Sequence, residues 1–65
     1  MDTGVEQPKY GARVYRVGNK LLVKQTVLRG TPPEYVIDAQ KERHVPEGDD
    51  AEIAEAVCAA LHGRL

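Results

Sequence analysis

The chain of 65 residues has no tryptophan, no phenylalanine, no serine and only one cysteine. Each absence excludes something. With Cys58 alone, no internal disulfide can form, and such cysteine usage suits a reducing compartment, so a cytoplasmic location is expected. Without serine there is no serine nucleophile, and no glycine-rich phosphate loop is present either. Purely aliphatic runs reach only three residues, as in Leu21 to Val23, far short of the roughly 20 that a membrane-spanning helix needs. No membrane association is expected. The interior has to be assembled from fifteen Val, Leu and Ile, seven Ala and three Tyr. A chain this short buries only about 60% of the surface its unfolded form exposes, so the core will be thin.

Charge is nearly balanced in total, at −1, but not along the chain. Residues 1–30 carry six basic groups against two acids, and residues 31–65 carry eight acids against three bases. A basic first half is therefore followed by an acidic second half.

The opening stretch MDTGVEQPKYG holds two Gly, one Pro and little that could be buried, so residues 1–11 read as a flexible arm. Residues 12–65 read as one domain. From Ala12 to Val17 apolar and polar residues alternate with period two, and Gly18-Asn19 offers the positive φ of a two-residue hairpin turn. Lys20 to Leu28 then returns as a second strand. Counting from that turn sets Val14 opposite Val23 and Tyr15 opposite Leu22. One face of the hairpin then holds Ala12, Val14, Leu21, Val23 and Val27, interrupted by Arg16 and Gln25. The other holds Arg13, Tyr15, Val17, Lys20, Leu22, Lys24, Thr26 and Leu28, and the first face is the better core.

Arg29-Gly30-Thr31-Pro32-Pro33 ends the second strand, since consecutive prolines donate nothing to a ladder. Glu34 to Ala39 alternates again, which predicts a third strand with Tyr35 and Ile37 in the core. Gln40 to Gly48 is polar and reads as a connection into which the strand extends a little. Asp49 followed by Glu52 is a capping-box-like pair, and Asp50 adds charge suited to a helix N-terminus. Ile53, Val57, Ala60 and Leu61 then recur at helical spacing with Ala54 and Cys58 beside them, until Gly63 stops the helix. The expected fold is α+β, a three-stranded antiparallel meander followed by one C-terminal helix on one face of the sheet.

Catalysis is not expected. Cys58 and His62 share a helix face, and His44 could be added, but structural zinc takes four ligands. Cys58 reads instead as a buried structural thiol, and no metal or cofactor is assigned. No carboxylate pair sits in a chain long enough to enclose a substrate. Two surfaces remain as candidates for partner binding. The first is acidic: Glu42, Glu47, Asp49, Asp50, Glu52 and Glu55, more charge than capping alone requires and suited to a basic protein. The second is the uncovered sheet face with Arg13, Tyr15, Leu22 and Lys24, mixed apolar and basic. It has a single aromatic where single-strand platforms offer two or three, so nucleic acid is the less favoured partner. The same open face could accept a second copy of the chain.

The segment VYRVGNKLLVKQTVLRGTPPEYVID, followed by a proline-containing connection and a short helix, resembles small immunity proteins of bacterial polymorphic-toxin systems. The likeness spans about residues 14 to 61 and lies in the order hairpin, Leu-Arg-Gly-x-Pro-Pro turn, third strand and helix. His44-Val45-Pro46 stands where that group would carry an aromatic before the proline. The resemblance implies a cytoplasmic, non-catalytic inhibitor that binds and neutralises a toxin. Two other readings accompany it: a phage-borne inhibitor of a bacterial defence complex whose acidic surface mimics nucleic acid, and a nucleic-acid-binding regulator using the basic sheet face.

Overall fold

A computed structural model describes residues 7–65. Three antiparallel strands, β1 (Tyr10–Val17), β2 (Lys20–Arg29) and β3 (Glu34–Pro46), form one sheet in the order β1-β2-β3, and one helix, α1 (Asp50–Leu61), follows. The expected α+β architecture is what the chain adopts. Gly18 turns the first hairpin with φ +64, a value that costs glycine little because it has no Cβ. The β1–β2 register runs without interruption from Val17↔Lys20 to Tyr10↔Val27, and Val14 stands opposite Val23 as counted.

The strand begins two residues earlier than the composition suggested. Tyr10 and Gly11 belong to β1, and the residues before them are also tied down: the Leu28 amide donates to the Lys9 carbonyl at 2.8 Å. The Tyr35 hydroxyl donates to the Pro8 carbonyl at 2.6 Å. Residues 1–6 of the predicted arm lie outside the described residues.

The larger departure is in β3, which continues through the polar stretch to Pro46. Its register against β2 shifts between Lys24↔Glu42 and Thr26↔Ile37, so residues 38–41 all stand opposite Gln25. Three extra residues are an odd number, and side chains alternate with period two. The faces of β3 are therefore exchanged across this bulge. Beyond it Val45 opposes Leu21 and Arg43 opposes Val23. Before it Tyr35 opposes Leu28 and Ile37 opposes Thr26, which places Tyr35 and Ile37 on the face away from the helix. They do not join the core as predicted, and Ile37 is 39% exposed. Val45 takes that place and is fully buried.

The helix begins as the sequence indicates: the Asp49 carboxylate accepts the Glu52 amide at 3.1 Å, satisfying one of the donors left free in the first turn. It ends in a Schellman pair, with the Arg64 amide on the Ala59 carbonyl at 2.8 Å and the Gly63 amide on the Ala60 carbonyl at 3.1 Å. Gly63 supplies the positive φ of +72 that this geometry needs. The buried stripe differs from the predicted one by part of a turn. Ala56 and Ala60 are fully buried against Val23 and Val45, with Ala12, Ile53, Val57 and Leu65 packed around them. Leu61 is 48% exposed and Cys58 is exposed. Alanines at the contact allow the helix to approach the sheet closely, and the long Leu61 side chain is left at the margin. The core thus consists of small side chains, and several larger ones stay outside.

Candidate functional site

Five cross-strand rows make up the open face, read from the register. Val17, Lys20 and Pro46 form the first, and Tyr15, Leu22 and His44 the second. Arg13, Lys24 and Glu42 form the third, Gly11, Thr26 and Ile37 the fourth, and Leu28 with Tyr35 the fifth. Tyr15 is 40% and Val17 52% exposed. Leu22, Leu28 and Tyr35 are half-buried. Gly11 has a specific reason to be glycine. A Cβ there would stand 2.6 Å from the Thr26 hydroxyl and 3.6 Å from the Tyr35 ring, so its absence lets that ring lie across β1 and reach Pro8. Cross-strand aromatic cover of a strand glycine pins the local register.

The predicted members of this second surface, Arg13, Tyr15, Leu22 and Lys24, are brought together as two adjacent rows. Sequence reasoning missed Tyr35, Ile37 and His44, which join them through the bulge. The only local signal is Asp38, whose carboxylate accepts the Gln40 amide at 3.2 Å inside the bulge; an Asp two residues before its donor is a turn former wherever it occurs.

The acidic candidates are dispersed. Glu42 faces the open side of the sheet and pairs with Lys24 at 3.5 Å, so it does not extend the acidic helix start. Glu47 is bound by Arg16 at 3.0 Å and Glu55 by Arg43 at 3.8 Å. Asp49 is engaged as the cap, Glu52 is half-buried and Asp50 is exposed. Such surface pairs stabilise the fold by only about 0–1 kcal/mol each. They do neutralise charge locally, and the negative surface contracts to Asp49, Asp50 and Glu52.

Cys58 is not the buried thiol expected. It lies on the solvent side of α1 with Sγ 3.6 Å from Nδ1 of His62, and that same Nδ1 is 2.8 Å from the Cys58 carbonyl. A carbonyl only accepts, so a hydrogen bond there requires the proton on Nδ1, which then cannot take the thiol proton. His44 belongs to the open sheet face. Among the described residues no group of three His, Cys, Asp or Glu side chains is placed to hold a metal ion, and no helix is long and apolar enough to cross a membrane.

Comparison with family models, curated proteins and solved structures finds no match to this chain. Function has to be argued from the surfaces themselves.

Proposed function

We propose that the chain is a small non-catalytic inhibitor that binds and neutralises a macromolecular partner, a bacterial toxin in the leading reading, and that it does so through the open sheet face. One observation carries this choice of surface: the interior is built from Val23, Val45, Ala56 and Ala60 while Tyr15, Val17 and Ile37 stay exposed on one continuous face. Burying such a face against a partner gives the hydrophobic return that the thin core does not supply by itself. Arg13, Lys20 and Lys24 against the single acid Glu42 give this face a positive balance, which suits an acidic protein surface. The acidic helix start is a weaker choice because Arg16 and Arg43 neutralise two of its carboxylates.

Co-expression with a panel of bacterial toxins, including any found encoded beside the gene, tests this directly. The chain should restore growth, Tyr15→Glu should abolish the rescue, and Asp50→Lys should leave it intact. Rescue that fails only for Asp50→Lys would move the contact to the helix start, where an inhibitor of a defence complex mimicking nucleic acid would also use it. Absence of rescue by the unmodified chain would remove the toxin reading.

A nucleic-acid regulator is the second reading, favoured by one feature: Tyr35 and His44 now accompany Tyr15 on the basic face, so the single-aromatic objection no longer holds. Binding of a fluorescent single-stranded oligonucleotide that weakens steeply with salt, and is lost in Arg13→Gln with Lys24→Gln, would establish it.

A further inference from the structure

The bulge in β3 opens a second feature on the opposite side of the sheet, past the C-terminal end of α1. A cleft of about 390 Å³ lies there, lined by Lys9, Tyr10, Gln25, Val27, Arg29, Asp38 and Lys41 among others. That volume falls within the roughly 300–1,000 Å³ of small-ligand sites. Three of these residues are cations, and among the described residues none of the three forms an ion pair. The one acid, Asp38, already accepts the Gln40 amide within the bulge. Among the described residues the lining of the cleft therefore carries three cations against one carboxylate.

Gln25 adds direction. It is 3% exposed, and its side-chain oxygen accepts the Leu65 amide at 3.2 Å, which leaves the carboxamide nitrogen as the group that can donate. Gln25 is the single residue opposite residues 38–41 of the bulge. Bulges of this kind re-aim side chains and concentrate beside binding sites. Val27, 8% exposed, gives the cleft an apolar wall, and Lys9 stacks on the Tyr10 ring with Nζ 5.4 Å from its centroid.

We infer that this cleft binds a small organic oxyanion, its phosphate or carboxylate group held by Arg29 and Lys41 with the Gln25 amide and its body against Val27. The cleft shares Leu28 with the open sheet face but does not depend on the partner proposed for that face. Charge-assisted hydrogen bonds from a guanidinium and an ammonium are the strong interactions available to such a group.

Two-dimensional amide NMR on the full chain tests this, using inorganic phosphate, ribose 5-phosphate and succinate as separate probes at constant ionic strength. At least one probe should produce saturable shifts at the Gln25 side-chain amide and at Arg29 and Lys41. Arg29→Gln and Lys41→Gln should each weaken that binding about tenfold, as expected for loss of one charge-assisted bond. Both residues are exposed, and unchanged melting of the variants confirms that the fold persists. Tighter binding of the phosphate probes or of succinate identifies which oxyanion the cleft takes. Shifts that stay linear with every probe, that map to Arg13 and Lys24 instead, or that are unaffected by both substitutions would overturn the inference.

Discussion

Replacing Gly63 by Ala probes how the helix C-terminus is seated on the sheet. Two effects add at this position. The residue has φ +72, where a side chain costs about 1–2 kcal/mol, offset by the 0.4–1 kcal/mol, roughly, that alanine gains by restricting the unfolded chain. The added Cβ would also stand 2.6 Å from Cε2 and Cζ of the Tyr10 ring, and overpacking of this kind costs about 1–3 kcal/mol. The sum is about 1–4.5 kcal/mol. A domain of this length has a total of roughly 3–10 kcal/mol, and each 1 kcal/mol lowers the melting temperature by about 4–8 °C. Gly63→Ala should therefore melt at least about 4 °C lower, and by more than about 10 °C at the middle of that range. Gly48→Ala is the control: φ is +98 and nothing lies within 4 Å of the new Cβ, so only backbone strain of about 1 kcal/mol remains. Urea unfolding of Gly63→Ala, Tyr10→Ala and the double variant isolates the contact. Removing the ring should relieve about 1–3 kcal/mol of the Gly63→Ala cost. A coupling below about 0.5 kcal/mol would refute the packing of Tyr10 beneath the helix end.

Other perturbations follow from the same contacts. Asp49→Ala removes the acceptor for the Glu52 amide and should cost about 1 kcal/mol in urea unfolding, while Asp49→Asn should cost much less. Val23→Ala, at a fully buried position, should cost about 2 kcal/mol or more, whereas Leu61→Ala, half exposed on α1, should cost clearly less; the reverse order would mean that the helix is rotated from the orientation described. Cys58 should react with a thiol reagent in the folded protein about as fast as in urea, because the side chain is exposed; protection that disappears only on unfolding would return it to the core.

Much of the fold was legible because local signals agreed with tertiary ones. Gly18-Asn19 set the first hairpin and thereby every pairing of β1 with β2. Asp49 with Glu52, and Gly63, marked the two ends of α1. The third strand was less legible for a definite physical reason. Alternation in Glu34 to Ala39 specifies which residues share a face but not which face that is, and an odd insertion later in the strand exchanges the two. Nothing in Gln40 to Arg43 marks that exchange, because polar residues suit an exposed edge strand and a loop equally. The candidate surface changes with it: alternation alone puts Tyr35 and Ile37 in the core, whereas they extend the open face. On the helix, Leu61 outranked Ala56 by hydrophobicity, although close approach to the sheet favours the smaller side chain.

The placement of Ile37 decides most between the two views of this protein. Ile37→Glu puts a charge at a position that alternation alone assigns to the core and the bulge assigns to the open face. Thermal melting of this variant, paired with the growth-rescue assay, is the most direct test. The expected result is a folded protein melting within about 5 °C of the parent, since surface substitutions change stability little, together with loss of rescue. A variant that no longer folds would place Ile37 in the interior, and a folded variant that still rescues fully would show that the partner binds elsewhere.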